Sequence, residues 1–222
     1  MCFSASASLG AGAVLGVIGV VSLTQSKKSS QIAFASIPLL FSVQQFSEGA
    51  LWLSLPNPAD ATLQHIATYV FLFFAQVVWP LLVPVSIVLL ERENKYKTLL
   101  LVFAGAGAVV SVYLAYCLLT FPVQANIIGY HIAYAQDYPT TFKYIGRALY
   151  GIATIAPLFF SDVKRMWLLG LTILTSYLIS WMFYDHYLLS VWCFFASVIS
   201  IGVLLIIRSI RHSAHYLRIE LS

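Results

Sequence analysis

The feature that most constrains this chain is a series of seven long apolar runs, five of them free of charged residues. A helix that crosses a bilayer needs about 20 mainly apolar residues. The runs are continuously apolar and do not alternate, which argues against a β-barrel. We therefore predict an all-α polytopic membrane protein with seven transmembrane helices, at about Ser8–Thr24, Gln31–Leu53, Ile66–Leu90, Thr98–Phe121, Tyr144–Phe160, Met166–Phe183 and Leu188–Ile207.

Composition supports a membrane environment for the whole chain. Hydrophobic residues make up 60% of the 222 residues and charged residues only 9%, whereas soluble domains carry about 25% charged residues. A length of 222 residues fits one transmembrane domain, residues 1–222. The net charge of +4 does not indicate nucleic-acid binding, because the basic residues lie in short loops between the apolar runs.

The basic residues also predict the orientation. Seven helices place ten of the twelve on one side of the membrane and leave Lys143 and Arg147 on the other. The side rich in basic residues is the cytoplasmic one, so we predict an outer N-terminus and a cytoplasmic C-terminus. The ten residues are Lys27, Lys28, Arg92, Lys95, Lys97, Lys164, Arg165, Arg208, Arg211 and Arg218.

One carboxylate lies inside an apolar run. Glu48 falls in the second predicted helix, and Gln44, Gln45 and Trp52 lie at helical spacing from it. Ionisable groups inside a bilayer are costly and usually functional, so we predict that this face points into the bundle. Two interpretations remain open: Glu48 acts in catalysis or binding, or it is a structural carboxylate, paired with Arg147 or kept protonated by burial.

Further polar groups are predicted on the same outer side. Glutamate, histidine and cysteine are ligand types shared by zinc and copper, and a catalytic zinc site needs three protein ligands and an open position. The candidate metal ligands are Glu48, His65, His131, His186 and Cys2, and Glu48, Arg147 and Asp185 are candidate catalytic residues. No HExxH motif supports the set, and each histidine could instead be an ordinary interfacial residue.

The outer loop from Pro122 to Lys143 differs from the other loops. Tyr130, Tyr134 and Tyr138 recur at intervals of four residues. This spacing predicts a short helix that lies on the membrane surface or folds back as a lid.

Prolines and glycines predict how some helices pack. Pro80 and Pro84 lie close together in the third helix, which predicts a kink that either lines a cavity or serves packing alone. We place Trp79 near a membrane interface, where tryptophan is common. Gly12, Gly16 and Gly19 predict a close helix–helix contact.

Several short motifs together resemble those of a known group of proteins. They are Met1-Cys2-Phe3-Ser4-Ala5, Gln44-Gln45-x-x-Glu48-Gly49-x-x-Trp52, Trp79-Pro80 with Pro84, and Ser190-Val191-Trp192-Cys193-Phe194-Phe195. Because it carries all of these motifs, the chain is similar to an uncharacterised family of small bacterial integral membrane proteins. The resemblance implies a multi-pass protein of the bacterial inner membrane and brings no activity with it.

Function is therefore predicted from the polar groups alone. We expect a polar, metal-binding pocket in the outer half, and a metal-dependent hydrolase of a lipid or amphipathic substrate is the leading hypothesis. The alternatives are a transporter or sensor that uses Glu48 as a titrating or binding carboxylate, and a structural subunit of a membrane complex. Whether the chain is an enzyme stays open. The expected partners are membrane lipids and a lipid or small-molecule ligand, and nucleic acid is not among them.

Overall fold

A computed structural model of the chain describes residues 4–91, 95–139, 143–183 and 199–211. It is a bundle of helices with one small β-hairpin. The helices are α1 (Ala5–Gln25), α2 (Ser29–Ala35), α3 (Ile37–Ser54), α4 (Ala61–Leu72), α5 (Trp79–Leu90), α6 (Lys97–Thr120), α7 (Lys143–Phe159) and α8 (Met166–Phe183), with a 3-10 turn at Pro58–Asp60 and a π-helical turn at Phe73–Val78. Residues 199–211 form a last helical segment.

Helices α1 and α3 pack along the predicted glycine face. A Cβ atom on Gly19 would lie 2.6 Å from the backbone nitrogen of Leu39, so only glycine permits this approach. Nearer the start of α1, the hydroxyl of Ser42 donates a 2.6 Å hydrogen bond to the carbonyl of Gly12. The contacts pair early residues of α1 with late residues of α3, so the two helices are antiparallel. The small-residue prediction is confirmed.

The second predicted span consists of two helices with a break at Ser36. Pro38 lies in the first turn of α3 and has no N–H group to bond the carbonyl of Phe34. The chain therefore leaves α2 and re-enters the helical conformation as α3, and Phe34 and Ile37 on either side of the break are buried.

The third predicted span is the continuous helical stretch from Pro58 to Leu90. Helix α6 lies against its second half. A Cβ atom on Gly107 would lie 1.9 Å from the carbonyl oxygen of Pro80 and 3.1 Å from the ring of Pro84. Gly107 thus lets α6 touch the backbone of α5.

Helices α7 and α8 and the last helical segment complete the core. A single large cluster of buried apolar side chains joins α2, α3, α5, α6, α7, α8 and residues 199–207. Arg208 donates from its Nε atom to Oε1 of Gln25 at 3.3 Å, which ties the last segment to the end of α1.

The predicted outer loop forms a hairpin, so the predicted short helix is wrong, and the mainly helical fold includes a small two-stranded sheet. Strand β1 (Val123–Ile128) pairs antiparallel with β2 (His131–Gln136), and Ile128 faces His131 across a two-residue turn. Gly129 has a φ of 63°, which suits the first position of a tight hairpin turn. We call the end of the bundle beneath it the hairpin end.

The outer surface of the bundle is apolar, as a bilayer requires. Three helical stretches, Ala5–Gln25, Pro58–Leu90 and Lys97–Thr120, are long and apolar enough to cross a membrane. Helices α1 and α6 expose large aliphatic side chains along their lengths, among them Val17 (66%), Val112 (71%) and Leu119 (84%). These stretches and their exposed apolar side chains support an association with the membrane.

Candidate functional site

The polar face of α3 points into the bundle, as predicted. Gln44 and Glu48 are 0% exposed and Gln45 is 1% exposed, although the rest of the helix is mainly apolar. Gln44 accepts a 2.8 Å hydrogen bond from the indole Nε1 of Trp79. This contact joins α3 to α5 in the centre of the fold.

Trp79 itself is buried inside the bundle at 6% exposure, and its depth in the membrane stays a prediction. Its ring stacks on Phe41 of α3 with the centroids 4.0 Å apart. Side-chain hydrogen bonding to Gln44 removes the cost of burying an indole N–H group.

Beside Trp79 lies a cavity of ≈ 60 Å³. Gln44, Tyr150 and Thr154 are the polar side chains among the described residues that line it. Their hydrogen bonds are partly used within the protein, since Thr154 donates from Oγ1 to the carbonyl of Tyr150 at 2.8 Å. The apolar lining comes from Phe34, Ile37, Phe41, Ala75, Trp79, Val83, Leu158, Leu169, Ile173, Ile199 and Val203.

The π-helical turn explains why polar groups gather at this level. The N–H of Trp79 bonds the carbonyl of Phe74 in the π pattern, so the carbonyl of Ala75 would need the missing N–H of Pro80. The hydroxyl of Tyr150 donates to Ala75 instead, at 2.7 Å. Likewise Ser111 donates from Oγ to the carbonyl of Val77. Turns of this kind occur often at functional sites.

The hairpin covers one end of the bundle, next to the polar side chains of α3 and the π-helical turn. Ile132 is 0% exposed and packs with Leu51 and Ala67, and the rings of Phe71 and Tyr134 stack with centroids 4.7 Å apart. Just beyond β2, Tyr138 donates from its hydroxyl to Oε1 of Gln76 at 3.1 Å. The hairpin and the segment after it are therefore anchored to α3, α4 and the π-helical turn.

Burial changes the ionisation of two side chains in this cover. It lowers the pKa of His131 below its usual value, because the charged imidazole loses water there. It raises the pKa of Tyr138, and the hydrogen bond to Gln76 opposes that rise only in part. Both side chains are therefore favoured in their neutral forms.

The predicted site residues do not all converge. His65 is exposed and its ring lies beside that of Tyr69 on α4, and Arg147 is exposed on α7. In the part of the chain that the structure describes, no three His, Cys, Asp or Glu residues lie close enough to hold a metal ion. Glu48, His65 and His131 thus do not form a three-ligand site by themselves. Cys2, Asp185 and His186 lie outside the described residues, so a metal set that includes Cys2 or His186 stays a prediction.

Comparison with known proteins places this chain in a family. Residues 1–218 match DUF6629, which is described as a family of unknown function. The chain belongs to that family. No curated protein and no solved structure is significantly similar to it. The expectation of an uncharacterised family that extends along almost the whole chain is confirmed.

Sequence reasoning missed a second buried carboxylate, at the opposite end from the hairpin. Glu91 directly follows α5 and is 7% exposed. Its Oε1 atom accepts from the hydroxyl of Ser161 and from the backbone N–H groups of Asp162, at 2.9 Å, and Val163, at 3.3 Å. Glu91 therefore fixes the loop between α7 and α8. The available signal was the acidic residue that directly follows a long apolar run.

Proposed function

We propose that this chain is an integral membrane protein that binds a small apolar or amphipathic molecule inside its helical bundle. The observation that carries the proposal is the cavity beside Trp79, which is lined by side chains of α3, α5, α7, α8 and residues 199–203. Ligand sites in proteins are mostly apolar, with a few placed polar groups. The cavity has this character.

The lining indicates the chemistry of the ligand. The polar hydrogens of Trp79, Tyr150 and Thr154 are donated to protein oxygens. The surface that lines the cavity therefore consists mainly of aliphatic side chains and aromatic rings. A volume of ≈ 60 Å³ would hold about four to six water-sized groups. The terminal part of an acyl chain or a small ring fits both the size and the polarity. Glu48 lies one helical turn from Gln44 and would provide a polar group toward the hairpin end.

The proposal includes the membrane topology predicted above: seven spans, an outer N-terminus and a location in the bacterial inner membrane. Eight of the ten basic residues in the described part of the chain lie at the end opposite the hairpin. The antiparallel contacts of α1 with α3 and of α5 with α6 support successive crossings. The hairpin end would then face outward.

A metal-dependent hydrolase is a second proposal, favoured by the complete burial of Glu48 beside Gln45. A base or ligand in such a site must be shielded from bulk water. Zinc or copper retained by tag-free purified protein, and lost on Glu48→Gln substitution, would support it. Stoichiometric binding of neither metal would exclude it.

Photo-crosslinking tests the binding proposal directly. A fatty acid that carries a diazirine at its terminal carbon is irradiated with the protein in nanodiscs, and labelled peptides are identified by mass spectrometry. We expect labels on Phe41, Trp79 or Tyr150 at the cavity. The Ile173→Phe variant, which fills the cavity, should lose these labels. The matched Leu171→Phe variant changes an exposed residue of the same helix and should keep them.

Labels confined to exposed side chains such as Val17 and Val112 would overturn the proposal, because they would show contact with bilayer lipid only. Equal labelling of both phenylalanine variants would do the same.

A further inference from the structure

A second cavity lies at the end of the bundle opposite the hairpin. Its volume is ≈ 130 Å³, and the described residues that line it come from four separate parts of the chain. Lys28, Ser30 and Gln31 belong to the turn after α1 and to α2. The other wall is apolar and consists of Leu90, Val163 and Ile210.

The polar wall is composed of hydrogen-bond donors and a cation. Gln31 accepts with its Oε1 atom from the backbone N–H groups of Lys27, at 2.8 Å, and Lys28, at 3.3 Å. That use of the oxygen leaves the amide N–H groups of Gln31 as the remaining hydrogen-bonding atoms of its side chain. With the ammonium of Lys28 and the hydroxyl of Ser30, this wall suits an anion.

Neighbouring groups strengthen the preference for negative charge. Glu91, which follows Leu90, is buried and turned to the loop of Ser161 and Asp162, where it accepts three hydrogen bonds. The exposed side chains at this end of the bundle include eight basic residues, namely Lys27, Lys28, Lys95, Lys97, Lys164, Arg165, Arg208 and Arg211. Such clusters attract anionic lipid headgroups.

We propose that this cavity binds the phosphate-bearing headgroup of an anionic glycerolipid, with Lys28 as its charged contact and with Leu90, Val163 and Ile210 against the start of the acyl chains. The site is separate from the cavity beside Trp79 and does not depend on it. A free phosphate group would satisfy Lys28, Ser30 and Gln31 equally well. The apolar wall favours the lipid, because a small hydrated anion gains nothing from three aliphatic side chains.

Native mass spectrometry of the purified protein tests this assignment. Phosphatidylglycerol and phosphatidylcholine are titrated separately, and bound lipids are counted. We expect phosphatidylglycerol to bind more tightly. One interfacial lysine is worth about fivefold in affinity, so Lys28→Gln should weaken phosphatidylglycerol binding by about that factor. Lys28→Arg should retain it, since the positive charge remains.

Lys97→Gln is the matched control. Lys97 is exposed at the same end of the bundle but does not line the cavity. Distance and screening weaken its attraction for a headgroup bound there, so we expect a smaller loss than in Lys28→Gln. Equal losses in Lys28→Gln and Lys97→Gln would overturn the site and leave only nonspecific attraction.

Inorganic phosphate separates the two sources of the anion. At millimolar concentration it should not displace phosphatidylglycerol. Displacement that depends on Lys28 would overturn the lipid assignment and make the cavity a site for a soluble anion. Equal binding of the two lipids would contradict the proposal as a whole.

Discussion

Buried hydroxyl and amide groups at the level of Trp79 complete hydrogen bonds that the helices alone cannot make. Pro80 has no N–H group, and the π-helical turn before it leaves the carbonyl of Ala75 without its usual partner. Tyr150 of α7 fills that role, and Ser111 of α6 donates to the carbonyl of Val77 in the same turn. The proline that disturbs α5 is therefore also the reason why other helices are tied to it.

Tyr150→Phe should destabilise the protein, because it leaves the carbonyl of Ala75 buried without a donor. A buried polar group that loses its partner costs about 1–3 kcal/mol. We expect a loss of that size in the free energy of unfolding, measured by chemical denaturation in detergent micelles. Tyr116→Phe is the control, since Tyr116 is 60% exposed on α6. Equal stability of the two variants would show that the hydroxyl of Tyr150 contributes nothing.

At the scale of elements, the sequence predicted helices better than it predicted what joins them. Helix α1 was predicted as Ser8–Thr24 and spans Ala5–Gln25, and α6 was predicted as Thr98–Phe121 and spans Lys97–Thr120. Long apolar periodic runs have no other way to satisfy their backbone in a bilayer. The hairpin was missed because the spacing of its tyrosines suggested a helix. The stronger signal was Gly129-Tyr130 between two short segments, the first of which alternates between partly buried and exposed residues.

The inward direction of Glu48 was also predictable, because a carboxylate in contact with lipid would be too costly. The cavity beside Trp79 was not. It depends on how Ile173, Leu169 and Val203 of later helices meet α3, and helical spacing carries no information about which helices become neighbours. The same holds for Glu91, whose partners lie about 70 residues away in sequence.

Gly107 provides a test of the contact between α5 and α6. An alanine there would place its Cβ atom 1.9 Å from the carbonyl oxygen of Pro80, whereas the site at Gly105 is open. Gly107→Ala must push the helices apart and should lower the free energy of unfolding by about 1–3 kcal/mol or more. Gly105→Ala should be neutral or raise it by up to about 1 kcal/mol, because alanine favours the helix.

Both alanine variants are compared with the unsubstituted protein by denaturation in the same detergent. A Gly107→Ala protein as stable as the Gly105→Ala protein would show that α6 does not lie on the backbone of α5. Because the two glycines are two residues apart on one helix, a general effect of alanine on α6 cannot produce the difference.

At the scale of the whole molecule, the distribution of charge and the direction of the helices point to the same arrangement. Helix α1 runs from the hairpin end to the opposite end, and α3 runs back to the hairpin end. The π-helical turn and α5 run away from the hairpin again, antiparallel to α6, which lies beside them. The basic side chains Lys27, Lys97 and Arg208 all lie at the end opposite the hairpin. A bilayer between these two ends would place the hairpin on the side poor in positive charge, which is the outer side.

Reporter fusions test this arrangement without any knowledge of activity. Fusion points after Leu55 and Gln136 lie at the hairpin end, and those after Lys95 and Arg165 lie at the other end. A periplasmic alkaline phosphatase reporter should be active at the first two positions, and a cytoplasmic fluorescent reporter at the second two. This alternation follows if each helical stretch between the fusion points crosses the bilayer once. Two adjacent fusion points on the same side would contradict the seven-span topology. A complete inversion of the reporter pattern would contradict only the orientation, because the two ends of the bundle would have exchanged sides while the fold stayed unchanged.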